Sequence, residues 1–116
     1  MDNETKKIYE RYRKMFKNAD KVKLEAHDDL LKNIAFMTKT LYKLQNEINE
    51  KGVIEKFEQG KQNFLRENPA LKSYNSTIKN YTSAIKQLND LVPDNMPKQD
   101  GEDLLKFIAS DNKWTI

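Results

Sequence analysis

The chain has 116 residues, with 21 Lys and Arg against 18 Asp and Glu, and it contains no cysteine. This length suits one domain, and the lack of cysteine excludes disulfides and thiolate zinc sites. Because 34 % of the residues are charged and only three are Gly and three Pro, we expect an all-α fold of long exposed helices. No apolar run approaches the about 18 residues that a membrane span needs, so no membrane partner is expected.

The charges are distributed unevenly along the chain. Residues 1–23 hold eight Lys and Arg against four acids, residues 51–66 hold four against two, and residues 93–116 hold three against five. A basic amino-terminal part and an acidic tail suit a polyanion at one end and a different partner at the other. Lys-rich helices that only need a soluble surface would show the same surplus, so both interpretations stay open.

The first predicted element is a short amphipathic helix over residues 4–18, in which Ile8, Tyr12, Met15 and Phe16 recur at helical spacing. Lys and Arg at this density neutralise phosphates and give salt-sensitive binding with little sequence selectivity. The candidate phosphate contacts in this helix and in the later basic segment are Lys6, Lys7, Arg11, Arg13, Lys14, Lys17, Lys56, Lys61 and Arg66.

Two longer heptad stripes follow. The first predicts a helix over residues 20–51 that ends at Gly52. The second predicts a helix with Asn68 as its N-cap and Pro69 at its first position, ending at Pro93. The stripes span roughly 27 and 32 Å at 1.5 Å per residue, lengths that fit a long antiparallel helical hairpin. The predicted hairpin core comprises Leu30, Ile34, Met37, Leu41, Leu44, Ile48, Tyr74, Ile78, Tyr81, Ile85 and Leu88.

The segment between the two helices, residues 52–67, is too long for a tight turn. Its apolar residues lie on both sides of Gly60 and allow a short extended excursion or a hairpin. Two helices by themselves bury little apolar area, so we expect the first helix and neighbouring subunits to cover the outer faces. An oligomer is therefore predicted.

The sequence offers no catalytic set. His27 is the only histidine, and its neighbours Asp28 and Asp29 point about 100° apart on a helix, so they would not converge on one ion. We therefore expect no metal, no cofactor and no enzymatic activity. Residues 94–116 follow as a Pro/Asp/Gly linker and a flexible acidic tail.

Residues 66–94, "RENPALKSYNSTIKNYTSAIKQLNDLVPD", resemble the signature of one group of phage terminase small subunits. In that group an Arg-Glu-Asn-Pro-Ala start leads into a long helix with a Leu-x-x-Leu-hydrophobic-Pro stop. The matching positions here are Arg66, Glu67, Asn68, Pro69, Ala70, Lys72, Tyr74, Lys79, Tyr81, Lys86, Leu88, Leu91 and Pro93.

The resemblance implies a non-catalytic protein that assembles into a homo-oligomeric ring in the host cytoplasm. It would bind double-stranded viral DNA and deliver it to the terminase large subunit, which holds the ATPase and nuclease. By the same analogy, residues 1–93 form the helical oligomerisation and DNA-binding domain, and residues 94–116 the linker and docking tail. The expected anchors for the large subunit are Leu104, Leu105, Phe107, Ile108 and Trp114.

A second hypothesis comes from the residues without the resemblance. A helical hairpin whose basic face is merely solvated would be a non-catalytic protein–protein interaction or assembly factor that does not bind DNA. Salt-sensitive DNA binding distinguishes the two.

Overall fold

The computed structural model describes residues 1–92, which form four α-helices, a two-stranded antiparallel sheet and a final 3-10 helix. α3 and α4 pack against each other as an antiparallel pair, and α1 packs on α3. None of the helices in this range is both long enough and apolar enough to cross a bilayer. In chain order the elements are α1 (Asn3–Met15), α2 (Lys21–Ala26), α3 (Asp28–Lys51), β1 (Ile54–Gln59), β2 (Gln62–Glu67), α4 (Pro69–Gln87) and the 3-10 helix (Leu88–Leu91). The predicted tail, residues 94–116, lies outside the described residues.

The prediction of an all-α fold built on one long helical hairpin is wrong, because a β-hairpin is inserted between the two long helices. β1 and β2 pair in register from Ile54 opposite Glu67 to Gln59 opposite Gln62. A two-residue turn joins them, and Gly60 takes the positive φ of 62° that such hairpin turns require. Composition could not reveal this element, since a hairpin of this size needs only one turn glycine.

The single helix predicted over residues 20–51 is also wrong, because the chain bends at His27. Asp20 caps α2 by accepting from the backbone N–H groups of Val22 and Lys23. His27 leaves helical geometry at φ −99° and ψ 8°, and its ring Nδ1 lies 2.7 Å from the carbonyl of Lys23. The bend makes α2 a separate six-residue helix that buries Leu24 in the core.

The predicted start of the second long helix is confirmed. The Asn68 side chain accepts from the backbone N–H of Ala70 at 3.0 Å and donates to the carbonyl of Gly52 at 2.9 Å, while Pro69 occupies the first helical position. The Asn68 backbone N–H also donates to the Val53 carbonyl at 2.7 Å. Asn68 therefore begins α4 and fastens the two ends of the inserted β-hairpin together.

The core lies where α1, α3 and α4 meet, and it is widest along α3. Of the predicted hairpin core, Ile34, Leu41, Tyr81, Ile85 and Leu88 are buried. The remaining six are partly buried: Leu30, Met37, Leu44, Ile48, Tyr74 and Ile78. α3 also buries Leu31, Ala35 and Thr38, which the heptad stripe does not include, because the helix packs on α1 as well as on α4.

A hydroxyl network crosses this core. The Tyr12 hydroxyl lies 3.2 Å from Thr38 Oγ1 and 3.1 Å from the Tyr81 hydroxyl, and Thr38 Oγ1 donates to the Ile34 carbonyl at 2.8 Å. Since the Thr38 proton goes to Ile34, Thr38 accepts from Tyr12, and Tyr12 in turn accepts from Tyr81. Burial raises the pKa of both phenols, so both stay neutral and able to donate.

Thr38→Val should lower the free energy of unfolding by about 1–3 kcal/mol, because the buried Tyr12 hydroxyl loses its acceptor while the side-chain shape is kept. Thr40→Val is the matched control, since Thr40 Oγ1 makes the same type of bond, to the Phe36 carbonyl, at an exposed position. Its effect should stay within about 0.5 kcal/mol. Urea unfolding followed by circular dichroism measures both, and equal losses would contradict the role given to the network.

Asn68→Ala should cost about 1–3 kcal/mol of unfolding free energy, because it removes the cap of α4 and leaves the Gly52 carbonyl without its donor. Asp20→Ala removes only an exposed cap, that of α2, and should cost less. Thermal unfolding of the two variants tests this order, and a larger loss for Asp20→Ala would reverse it.

Candidate nucleic-acid interface

One side of α1 presents a row of cations. Lys7, Arg11 and Lys14 fall at positions i, i+4 and i+7, so they lie on one face of the helix, and all three are exposed. The adjoining side of the helix carries Ile8 and Tyr12 into the core. Within residues 1–92 no carboxylate lies within ion-pair distance of these three cations, so their charges are available to a ligand.

Lys7 and Arg11 of this row line a groove of about 500 Å³ between α1 and α3, and Lys14 lies outside its lining. From α3, Lys43 adds a further exposed cation that pairs with no acid in the described part of the chain. Lys39 is different, because its ammonium lies 2.5 Å from Asp2 and 3.6 Å from Glu4. The lining side chains are those of Glu4, Lys7, Ile8, Arg11, Lys39, Tyr42, Lys43 and Asn46.

Tyr42 and Asn46 give the groove neutral polar groups among its cations. Tyr42 is partly buried, and this burial raises the pKa of its phenol, an effect that the charge of Arg11 partly offsets. A neutral phenol does not repel an anion. The groove thus combines positive charge with hydroxyl and amide groups, the side-chain types that contact phosphate oxygens in protein–DNA complexes.

Arg13, a predicted phosphate contact, forms ion pairs with acidic residues of its own chain. Its guanidinium lies 2.9 Å from Glu25 and 3.3 Å from Asp28. The hydrogen bond to Glu25, opposed in part by desolvation, raises the pKa of Arg13. The arginine ties α1 to α2 and α3, and it does not line the groove.

Three side chains contact the Asp28 carboxylate at the start of α3. The Tyr9 hydroxyl donates to it, Arg13 pairs with it, and Lys32 lies 3.1 Å away. The Tyr9 hydrogen bond, followed by Lys32, holds the pKa of the Asp28 carboxyl below its usual value. Burial, with the same carboxylate, raises the pKa of Tyr9 to about 12.

The other predicted DNA contacts do not line the groove. Lys6 and Lys17 are exposed elsewhere on the helical segment, and Lys61 is exposed in the turn of the β-hairpin. Lys56 lies 3.7 Å from Glu58 on the same strand. Arg66 pairs with Glu55 at 2.8 Å and lies 3.9 Å above the Phe57 ring, so its charge is used within the β-hairpin.

Three exposed cations lie on α4: Lys72, which the sequence made a candidate for phosphate or intersubunit contact, and Lys79 and Lys86, which it did not assign. Lys72, Lys79 and Lys86 repeat every seven residues on α4, a helix without a single acidic residue. On α3 the groove residues Lys39, Tyr42, Lys43 and Asn46 repeat at steps of three, one and three, a helical-face signal visible in the sequence. That this face meets α1 is evident only from the fold.

Residues 1–92 hold no group of three His, Cys, Asp or Glu residues arranged to bind a metal ion. His27 bonds to the Lys23 carbonyl, and its Nε2 lies 3.4 Å from the Asp90 carboxylate beyond the end of α4.

Comparison with known proteins adds no relative: no family model, no curated protein and no solved structure matches this chain. The resemblance to terminase small subunits therefore stays a prediction. The function has to be argued from the residues themselves.

The loss of unfolding free energy at acid pH should depend on Asp28. A carboxyl whose pKa is lowered by folding stabilises the protein above its unfolded pKa, and that contribution disappears as the pH falls through the folded value. The unfolding free energy should therefore decline below about pH 4, and Asp28→Asn should decline less steeply. The control is Asp29→Asn, which changes an exposed neighbour without an ion pair in residues 1–92. Urea titrations from neutral to acid pH measure the slopes, and parallel curves for Asp28→Asn and wild type would contradict the assignment.

Proposed function

We propose that the chain is the small subunit of a viral DNA-packaging terminase. It would be a non-catalytic homo-oligomer that binds double-stranded viral DNA in the host cytoplasm and delivers it to the ATPase/nuclease large subunit. The terminase assignment is supported by the Arg-Glu-Asn-Pro-Ala segment and the helix behind it. The DNA-binding part is supported by one observation above all, the groove whose cations Lys7, Arg11 and Lys43 have no acidic partner within residues 1–92.

The groove suits contact with the DNA backbone. The row from Lys7 to Lys14 is about 10 Å long at 1.5 Å per residue. A row of this length can contact neighbouring phosphates of one strand. Lys43 adds charge from the α3 side. Such contacts position DNA without reading its bases.

One groove with three or four cations binds DNA weakly at physiological salt. An oligomer repeats the groove in every copy, and simultaneous engagement multiplies the affinity without any new contact. In this proposal assembly is therefore part of DNA binding. The docking role proposed for Leu104, Leu105, Phe107, Ile108 and Trp114 falls on residues outside the described range and rests on the resemblance alone.

The assembly-factor hypothesis retains one specific observation in its favour. The β-hairpin exposes apolar side chains, including Ile54 and Leu65, that suit a protein partner better than DNA. A role in assembly without DNA binding predicts that the basic groove is only a solvated surface.

Replacing the three groove cations tests the proposal. Lys7→Gln/Arg11→Gln/Lys43→Gln should weaken binding to a DNA duplex of about 30 base pairs and reduce the slope of log affinity against log salt by about 1 for each lost phosphate contact. The measurement is fluorescence anisotropy across a salt series. Circular dichroism should show an unchanged fold, because all three side chains are exposed.

The matched control removes the same charge from another face. Lys72→Gln/Lys79→Gln/Lys86→Gln lowers the net charge by the same amount on the outer side of α4 and should change affinity much less. If the control loses as much affinity as the groove variant, binding is not localised to the groove. If wild-type protein shows no salt-dependent binding, the assembly-factor hypothesis replaces the proposal.

A further inference from the structure

One face of α4 carries a second groove, apart from the one between α1 and α3. Its volume is about 330 Å³, and its lining side chains repeat at helical spacing: Ile78, Lys79, Thr82, Ser83 and Lys86. Ile78 and Thr82 are partly buried, whereas the two lysines are exposed. The α4 groove therefore offers an apolar floor beside two cations.

The cations of this face have no acidic partner in residues 1–92. α4 holds no acidic residue from Pro69 to Gln87, and neither Lys79 nor Lys86 lies within ion-pair distance of a carboxylate of another described element. Lys72 is exposed on the same face, seven residues before Lys79. An anionic segment that approaches the face meets three positive charges and no opposing charge on the helix.

The tail begins at the same end of α4 as this groove. The 3-10 helix Leu88–Leu91 follows α4 directly, and Val92 is the last described residue. From Lys86 the groove extends back to Ile78, about 12 Å along the helix at 1.5 Å per residue. The next nine residues of the chain can span up to about 30 Å. Residues beyond 101 can therefore reach every part of the α4 groove.

The tail sequence carries the groups that complement this groove. Between residues 94 and 105 there are four acids and one lysine, and Glu102 and Asp103 directly precede Leu104 and Leu105. Carboxylates suit the two groove lysines, and a leucine suits the Ile78 floor. A chain that enters from the Lys86 end brings its acids in first and its leucines after them.

The groove between α1 and α3 suits the tail less well. Its α3 side begins at Lys39, about 18 Å along the helix from His27, and His27 lies 3.4 Å from Asp90 near the start of the tail. Glu4 is also part of its lining and repels carboxylates. The α4 groove lies closer to the point where the tail begins, and its lining contains no carboxylate.

We propose that residues 102–105 of the tail dock in the α4 groove of their own chain. Glu102 and Asp103 pair with Lys86 and Lys79, and the leucines lie against Ile78. The short connection to α4 gives the tail an effective concentration on the order of millimolar, so contacts of modest strength suffice. The docked tail neutralises the cations of α4 and covers its own leucines, so a partner that binds those leucines has to displace the tail first. This inference goes beyond the proposed function and requires neither DNA nor a large subunit.

Fluorescence quenching in the full chain tests the proposal. The chain has no cysteine, so Asn75→Cys attaches a bimane dye at one exposed site, four residues before Lys79 on the same face. Phe107→Trp/Trp114→Phe places the only tryptophan, which quenches bimane on close approach, just after the docked leucines. The dye should be about twofold dimmer, or more, than in the Trp114→Phe chain without tryptophan, because the effective concentration keeps the tail docked.

Exchanging the charges identifies the contact. Lys79→Glu/Lys86→Glu should return the dye to the brightness of the tryptophan-free chain, and adding Glu102→Lys/Asp103→Lys should restore the quenching, because the pairs are re-formed with opposite signs. The matched control is Lys7→Glu/Lys43→Glu, which reverses two exposed charges in the other groove and should leave the quenching unchanged.

Three results would overturn the proposal: no quenching, quenching that survives Lys79→Glu/Lys86→Glu, or equal loss of quenching in the control. A mixture tests a neighbouring copy as the site. Dye-labelled chains without tryptophan are refolded with unlabelled chains that carry Phe107→Trp/Trp114→Phe. The mixture should stay bright, and quenching as strong as within one chain would show that the tail docks on another copy, against the proposal.

None of these samples contains DNA, so the two proposals are tested separately. Loss of DNA binding in the Lys7/Arg11/Lys43 variant bears on the groove between α1 and α3. Loss of quenching in Lys79→Glu/Lys86→Glu bears on the tail contact with α4.

Discussion

The position of α1 depends on the buried hydroxyl network of Tyr12, Thr38 and Tyr81. Each hydroxyl donates once, in the order Tyr81 to Tyr12 to Thr38 to the Ile34 carbonyl, so the chain of bonds satisfies three polar groups inside an apolar core. Because the network joins α1 to both long helices, it fixes the side of α1 that faces inward. The exposed basic row and the groove beside α3 follow from that orientation.

Sequence signals correctly predicted the features that depend only on residues close together in the chain. Asn68, Pro69 and Gly52 mark helix ends through their own backbone chemistry, and the heptad stripe of α4 needs only its own sequence. The bend at His27 was not predicted, and the β-hairpin was expected only as one of two options for residues 52–67. Both elements involve contacts between residues far from one another along the helices or across a turn: Leu24 of α2 lies in the core, and Phe57 contacts Phe64 between the strands.

The candidate site was predictable only in part, because a charge becomes available or occupied through tertiary contacts. Arg11 and Arg13 are two residues apart and look alike in the sequence, yet Arg13 meets Glu25 and Asp28 while Arg11 borders the groove. Lys43 joins the candidate surface only because α1 packs beside it. Sequence reasoning thus identified the basic helix, and the fold selected which of its cations can reach a ligand.

The hydrogen bond from Asn68 to Gly52 holds the two ends of the β-hairpin together, so the hairpin leaves and rejoins the helices at one junction. Because the Asn68 amide and backbone bond the carbonyls of Gly52 and Val53, the ends of α3 and α4 are held together independently of what lies between them. Segments of other lengths and sequences can therefore be grafted at this junction without disturbing the helices. The junction lets the sequence of the β-hairpin change while the basic groove between α1 and α3 is preserved.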